Sequence, residues 1–301
     1  MRDRWVDMSF ISYLINGISL GSVYAIIALG YTMVYGIAKM LNFAHGDVIM
    51  IGAYVALTSM TGMGLPPTAA VLIAVVFCTL LGMLIERVAY KPLRNAASPL
   101  AVLITAIGVS YLLQNIALLI FGANTKTFAS VVPIPPLTLA GGELTVSGET
   151  IMTIGACIVI MTGLTLFIKK TKAGQAMLAV SEDKGAAQLM GINVNGTIAL
   201  TFAIGSALAA IAGVLLCSAY PTLTPYTGAM PGIKAFVAAV FGGIGSIPGA
   251  MVGGILLGII EIFGKAYISS QMADAIVFAV LIVVLLVKPA GIVGKNIQEK
   301  V

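Results

Sequence analysis

Long apolar runs, separated by short polar segments, are the feature that most limits how this chain can fold. Hydrophobic residues make up 59% of its 301 residues and charged residues only 9%, and the mean hydropathy is +1.08. An apolar run of about 20 residues forms a helix that crosses the hydrocarbon core of a bilayer. Because such runs recur along the whole length, the sequence predicts an all-α, polytopic integral membrane protein that lies in the lipid bilayer.

The apolar runs predict about eight transmembrane helices in a single transmembrane domain that covers residues 1–301. The runs lie at residues 10–35, 48–60, 68–85, 99–121, 150–168, 197–219, 233–241, 250–262 and 273–287. Several are too short to cross unaided, which predicts discontinuous or re-entrant helices. Length alone leaves open whether residues 48–60 and 233–262 cross or re-enter. Residues 10–60 and 197–241 share a long span, a break and a short helix, which suggests an inverted repeat.

Basic residues are concentrated in alternate loops, as the positive-inside rule requires. Residues 86–94 and 169–196 are rich in lysine and arginine, so both are predicted to be cytoplasmic. Residues 122–148 carry one lysine and are predicted to form an external loop. The basic C-terminal tail is predicted to be cytoplasmic, while the N-terminus is periplasmic if residues 48–60 cross and cytoplasmic if they re-enter.

The most polar segment of the chain, the predicted cytoplasmic loop at residues 169–196, contains the pattern of a short helix. Ser181 can cap a helix start, and Glu182 and Asp183 would lie in the first turn, where the positive end of the helix dipole favours acids. Gly191 can adopt the left-handed conformation that ends a helix. The pattern therefore predicts a helix of two or three turns. A helix this short needs a partner surface to keep its shape.

Four residues of this segment carry a resemblance to a known family. Glu182, the pair Ala186 and Ala187, and Gly191 resemble the coupling loop, known as the EAA loop, of permease subunits of ABC importers. The resemblance implies that the loop docks into a cleft on an ATP-hydrolysing subunit and carries its motion into the membrane.

Three further stretches of sequence make the resemblance more specific, because they point to one group of ABC importers. Residues 30–36, 42–47 and 241–250 resemble the permease subunits of branched-chain amino-acid ABC importers, and they occur in the expected order. The resemblance implies the smaller of two permease subunits, in a bacterial inner membrane, that transports leucine, isoleucine and valine. Its implied partners are a second homologous permease subunit, two ABC ATPase subunits and a periplasmic substrate-binding protein. The sequence leaves open whether the permeases form a homodimer or a heterodimer.

Polar residues and glycine-rich breaks inside the apolar pattern are candidates for the translocation path or for helix breaks. They are Asn42, His45, Gln114, Asn115, Gly242, Gly243, Gly245 and Pro248. Gln114 and Asn115 could contact the substrate or could bond to a neighbouring helix. His45 is the only histidine, and without other ligands nearby it does not make a metal site. Glu86 beside Arg87 is expected to form an interfacial ion pair.

The sequence also argues against several activities. It has no phosphate-binding loop of the Gly-x-x-x-x-Gly-Lys-Ser/Thr type, so ATP would be bound by partner subunits and the chain is expected to have no cofactor and no enzymatic activity of its own. It has no paired catalytic carboxylates. Its basic residues are loop charges without interleaved aromatic residues, which argues against nucleic-acid binding.

Two alternatives stay open. One is a permease of the same family for another small solute, such as an amide, urea or another amino acid. The other is a stand-alone secondary transporter, which would need an ion site of its own and would stop when the proton or sodium gradient is collapsed. A membrane-embedded enzyme would need a polar catalytic cluster that these residues do not supply.

Overall fold

The computed structural model describes residues 2–94, 99–139 and 144–294, with the backbone alone for residues 2–8 and 99. It confirms an all-α membrane protein. The helices are α1 (Arg2–Ala38), α2 (His45–Thr61), α3 (Pro67–Ile85), α4 (Pro99–Phe121), α5 (Gly148–Lys170), α6 (Lys172–Glu182), α7 (Lys184–Leu189), α8 (Val194–Ala219), α9 (Ala229–Gly242), α10 (Ile247–Tyr267) and α11 (Ala273–Val287).

Six of these helices are long and apolar enough to cross a membrane, counted within the described residues. They are α1, α3, α4, α5, α8 and α10. The helices α9 and α11 are apolar but have only 14 and 15 residues, and α2 has 17. At 1.5 Å per residue, α9 spans about 21 Å, which is shorter than the hydrocarbon core.

Most of the predicted boundaries agree with these helices, and α4 and α11 match residues 99–121 and 273–287 to the residue. Residues 250–262 are an exception, because the short helix predicted there is wrong. The helix α10 runs over 21 residues, starting at a Ser246 cap whose hydroxyl accepts a hydrogen bond from the Gly249 N–H. It continues past residue 262 because its charged residues Glu261 and Lys265 are paired with each other.

Residues 86–94 do not form the predicted loop. The helix α3 continues as a π-helical turn (Glu86–Tyr90) and a 3-10 turn (Lys91–Leu93). These turns bring Arg94 back onto Glu86, so the ion pair joins these two residues and the predicted pairing of Glu86 with Arg87 is wrong.

Short strands lie in the connections at one end of the bundle. The strand β1 (Lys126–Thr127) pairs antiparallel with β4 (Thr222–Leu223), and β2 (Leu137–Leu139) pairs antiparallel with β3 (Leu144–Val146). The first pair joins the connection after α4 to the connection after α8. It therefore holds two distant parts of the chain together at this end.

The core of the bundle is formed by α1, α2 and α8. The middle of α1, from Ala25 to Leu29, is fully buried. The N-terminal half of α1 packs antiparallel against α10, and glycine residues make this close contact possible. A Cβ atom added at Gly21 would lie 2.6 Å from the Ile255 Cα, and one at Gly17 would lie 2.9 Å from the Ile259 Cα. These helices therefore meet backbone to backbone, as small residues allow in membranes.

The two short helices α2 and α9 also meet through glycine. A Cβ atom added at Gly232 would lie 2.7 Å from the Gly46 Cα, and Gly228 faces the same backbone. The short helices thus touch each other, while α1 packs against α9 and α8 packs against α2.

An ionic cluster ties four helices together. Lys234 of α9 lies 2.8 Å from the Glu261 carboxylate of α10 and 2.6 Å from the Asp274 carboxylate of α11. Glu261 also accepts hydrogen bonds from Lys265 at 2.6 Å and from the Tyr24 hydroxyl of α1 at 2.8 Å. Two lysines and two carboxylates balance, so the cluster is neutral as a whole, which is the condition for charges buried among membrane helices.

We expect Gly21→Ala to destabilise the protein, because its Cβ meets the backbone of α10, which cannot move aside. Overpacking of this kind costs about 1–3 kcal/mol. The measurement is the thermal unfolding midpoint of the purified full-length protein in detergent. The control is Gly155→Ala on α5, where a Cβ atom meets nothing within 4 Å, and the midpoint should not fall. Equal effects of the two changes would contradict the close α1–α10 contact.

We expect Lys234→Met to lower the unfolding midpoint strongly, because it leaves Glu261 and Asp274 without their shared cation. Breaking a buried ion pair from one side costs about 3–5 kcal/mol. Combining it with Glu261→Gln should recover part of the loss, because the buried negative charge is then removed as well. The control is Lys265→Met, whose side chain is 38% exposed and which should have the smaller effect. If Lys265→Met is as harmful as Lys234→Met, the cluster is not centred on Lys234.

Candidate functional site

The coupling segment, defined as residues 171–193, folds as two helices instead of the single helix predicted from Ser181. The helix α6 is capped by Thr171, whose hydroxyl accepts a hydrogen bond from the Gly174 N–H at 3.0 Å. The hydroxyl of Ser181 donates to the Leu178 carbonyl at 2.7 Å, so Ser181 lies inside α6 and is not a cap. The predicted start at Ser181 is therefore wrong.

The start of α7 is set by Asp183. Its backbone is extended, and its carboxylate accepts hydrogen bonds from the Gly185 N–H at 2.7 Å and the Ala186 N–H at 2.9 Å. A carboxylate at this position satisfies N–H groups that have no partner within the helix. Asp183 therefore ends α6 and begins α7, which leaves Glu182 as the last residue of α6.

The end of α7 follows the prediction. Gly191 takes the left-handed conformation with φ +82°. The carbonyls of Ala186 and Ala187 accept hydrogen bonds from the Met190 and Ile192 N–H groups, at 3.0 Å each. This arrangement is the usual glycine-terminated helix end, and it turns the chain towards α8.

The exposure of the coupling segment shows which side is free to meet a partner. Ala187 is buried against the rest of the protein, while Glu182 and Ala186 are exposed. Leu189 is 90% exposed and Met190 is 82% exposed. Two large apolar side chains this open at the tip of a polar segment indicate a contact surface for another protein. The sequence analysis missed both, although they directly precede Gly191.

The coupling segment is attached to the membrane helices through Lys184. Its ammonium group donates a hydrogen bond to the Ala38 carbonyl at 2.9 Å, at the C-terminal end of α1. Partial burial lowers the pKa of Lys184, and the charges of Arg94 and Lys39 lower it further. A movement of α7 would therefore act directly on the end of α1.

Two of the predicted polar residues, Asn42 and His45, lie at the break between α1 and α2. Asn42 is buried and accepts a hydrogen bond from the Tyr90 hydroxyl at 2.9 Å. His45 is 1% exposed and packs edge-to-face on Tyr31, with ring centroids 4.7 Å apart. Its Nε2 is buried and has no hydrogen-bond partner among the described residues.

The two polar residues of α4 have different surroundings. Gln114 is buried and donates to the Asp47 carboxylate of α2 at 2.9 Å, so it joins two helices. Asn115 is exposed and donates to the Tyr111 carbonyl of its own helix at 2.8 Å. Asn115 and Tyr111 therefore form an open polar patch on α4.

The glycine-rich turn between α9 and α10 contains the remaining predicted residues. Gly243 and Gly245 have φ of +110° and +89°, and Pro248 lies in the first turn of α10. The chain after α11 covers the turn, because the Ile292 and Val293 N–H groups donate to the carbonyls of Phe241 and Gly242 at 2.9 and 3.0 Å. The turn also lies beside the end of α1, at Gly36.

Metal chemistry finds no support in the described residues. No group of three histidine, cysteine, aspartate or glutamate side chains there could hold a metal ion. The three cysteines are buried and unpaired with one another.

Comparison with known proteins places the chain in a family. Residues 13–285 match the model of the family described as the branched-chain amino acid transport system / permease component. The chain is 46% identical to the high-affinity branched-chain amino acid transport system permease protein LivH of Escherichia coli, over 97% of this chain and 98% of that protein. It is 45% identical to the corresponding protein BraD of Pseudomonas aeruginosa over the same shares.

A solved structure shares the fold. A chain of PsaBC from Streptococcus pneumoniae, solved in complex with Fab, superposes with a TM-score of 0.52 and 16% sequence identity, covering 96% of this chain and 97% of that one. At this identity the similarity concerns the fold alone. The family match and the two relatives each extend over nearly the whole length, and on that evidence the chain belongs to the family of permease components of branched-chain amino-acid transport systems.

Proposed function

We propose that this protein is the permease subunit of an ATP-driven ABC importer that carries branched-chain amino acids across the bacterial inner membrane. The observation that carries the proposal is 46% identity over nearly the whole chain to a permease that is named for this transport. The proposed partners are a second homologous permease, two ABC ATPase subunits and a periplasmic binding protein. ATP is bound and hydrolysed by the ATPase subunits.

The coupling segment would receive the motion of the ATPase. Leu189 and Met190 offer an apolar contact at its tip, and Ala187 anchors α7 to the bundle. Lys184 then connects α7 to the end of α1. Closure of the ATPase subunits would therefore pull on α1, and α1 packs along α10 and against the short helix α9.

The orientation of the chain follows from this assignment. If the coupling segment is cytoplasmic, the C-terminal end of α1 that binds Lys184 is cytoplasmic too, and the N-terminus lies in the periplasm. The glycine turn beside Gly36 and the tail that covers it lie at the same end. The C-terminus is therefore cytoplasmic, while the short strands and the connection at residues 122–148 are external.

An inverted repeat is part of the proposal. The helix α1 packs on α10 and on α9, and in the same way α8 packs on α3 and on α2. The units α1–α3 and α8–α10 correspond in this pattern, and in the proposed orientation they run in opposite directions. The two short helices α2 and α9 meet between them, which is where transporters of this construction hold their substrate path.

The open polar patch on α4 indicates which face of this helix borders the translocation path. Asn115 and Tyr111 are exposed in the middle of a spanning helix, and an amide facing lipid is costly. We place this face of α4 towards the translocation path, away from lipid. The buried pair of Gln114 and Asp47 behind it would hold α4 against α2.

We expect Gly191→Trp to reduce transport at least about tenfold while the protein still inserts, because a tryptophan at φ +82° strains the end of α7. The measurement is uptake of radiolabelled leucine, with the amount of inserted protein determined in the same membranes. The control is Gly191→Asn, because asparagine tolerates the left-handed conformation and should retain most of the uptake. Normal uptake by the tryptophan variant would contradict the coupling assignment.

The proposal as a whole predicts that the chain purifies with a second permease and ATPase subunits when it is expressed with its chromosomal neighbours. Leucine uptake should require ATP and should survive collapse of the proton and sodium gradients. Competition by isoleucine and valine, but not by urea or amides, would separate the proposed substrates from another small solute of the same family. A chain that purifies alone and transports solute on an ion gradient would be a secondary transporter.

A further inference from the structure

A cavity of about 320 Å³ opens beside the coupling segment, at the end of the bundle that we assign to the cytoplasm. Three elements surround it: the end of the 3-10 turn after α3, the helix α7, and the first turn of α8. Its polar lining comes from Arg94, Lys184, Gln188, Asn193 and Asn195. The lining contains two cations and three amides but no carboxylate, so its electrostatic potential favours an anion.

The guanidinium of Arg94 has partners for some of its N–H groups and none for its Nε. Its guanidinium forms an ion pair with Glu86 and donates to the Asn195 side-chain oxygen, while its Nε is buried without a partner. Asp183, the other carboxylate beside the lining, accepts hydrogen bonds from the Gly185 and Ala186 N–H groups and has no ion pair with Lys184 among the described residues. The pair of Arg94 and Glu86 is therefore neutral, and the charge of Lys184 is left over.

Lys184 has no ion-pair partner in the part of the chain that the structure describes. Its ammonium group is held by the Ala38 carbonyl alone, which can accept only one of its three N–H donors. The pKa of Lys184 is lowered by partial burial and by the nearby charges of Arg94 and Lys39. An anion in the cavity would compensate this repulsion.

The amides add further donors. The Asn193 side-chain oxygen accepts a hydrogen bond from the Gly196 N–H at 2.9 Å, and the Asn195 oxygen accepts from Arg94. Because both oxygens are already used, the amide nitrogens, which can only donate, remain for a ligand. The first turn of α8 also lines the cavity. The positive end of the α8 dipole therefore adds to the positive potential from Arg94 and Lys184.

We propose that this cavity binds a phosphate-type oxyanion, supplied either by the headgroup of an anionic phospholipid or by free phosphate in the cytoplasm. The donors come from three elements in different directions, which suits a tetrahedral anion with several oxygens better than a planar carboxylate. The cavity lies where the spanning helices α3 and α8 reach the cytoplasmic surface, the level at which basic pockets bind lipid headgroups. Ile192, Val194 and Ile198 supply an apolar side to the cavity.

A bound phosphate would connect α7 to the membrane helices. Lys184 and Gln188 belong to α7, whereas Arg94 and Asn195 belong to the ends of α3 and α8. The anion would therefore bridge the coupling helix to two spanning helices, in addition to the single hydrogen bond from Lys184 to Ala38. The site stabilises the coupling segment in the orientation that the structure has.

The test uses the full-length protein in lipid nanodiscs, with the thermal unfolding midpoint as the readout. In discs of phosphatidylcholine, inorganic phosphate is titrated against sodium chloride of equal ionic strength. A second set of discs contains phosphatidylglycerol in place of part of the phosphatidylcholine, and retained phosphatidylglycerol is counted by native mass spectrometry. The variants are Lys184→Gln, Lys184→Arg and, as a matched loss of charge in the same segment but outside the cavity, Lys172→Gln.

We expect the wild type, Lys184→Arg and Lys172→Gln to show a saturable rise in midpoint, and Lys184→Gln to bind about tenfold more weakly, because one charge-assisted hydrogen bond is lost. A response to inorganic phosphate in neutral discs identifies free phosphate as the source, and a response to phosphatidylglycerol alone identifies the lipid headgroup. The proposal is overturned if the wild type responds to neither or if Lys184→Gln responds equally.

Discussion

Close contact between helix backbones is the interaction on which the rest of this structure depends. Helices in a bilayer gain little hydrophobic free energy from meeting each other, because lipid is as apolar as their side chains. Here the gain comes from packing, and glycine makes the packing possible. Gly17 and Gly21 let α1 lie directly on α10, and Gly46, Gly228 and Gly232 let the two short helices touch. The high glycine content of the sequence, 34 residues, is thus explained by helix contacts as much as by turns.

The polar groups inside the bundle follow a second constraint, since each needs a partner when lipid offers none. Lys234 is shared by Glu261 and Asp274, Gln114 binds Asp47, and Asn42 binds Tyr90. Each of these contacts joins one element of the bundle to another, and two of them hold a short helix directly, through Asp47 of α2 and Lys234 of α9. These polar residues therefore organise the bundle, whereas Asn115 and Tyr111 on the open face of α4 are exposed.

The coupling segment combines rigidity with exposure. Asp183 and Gly191 define both ends of α7 through backbone hydrogen bonds and a left-handed turn, so a helix of six residues keeps its shape while its tip stays open. Lys184 links it to α1 and borders the basic cavity. The proposed coupling role would need such a part: stiff enough to transmit a movement, and apolar enough at Leu189 and Met190 to be held by a partner.

The sequence by itself determined the class of fold, most helix boundaries and the left-handed helix end at Gly191, because apolar length and a glycine after a short helix are local signals. The family resemblance came from short motifs in chain order. The tertiary structure alone decided which charges meet. Glu86 pairs with Arg94 and not with its neighbour Arg87, since the π-helical and 3-10 turns carry Arg94 back over it. It also decided that Asp183 and not Ser181 begins α7, and that α10 continues through Glu261 and Lys265. In each case the deciding partner is a side chain or backbone group whose position depends on the folded chain, which periodicity along the sequence does not encode.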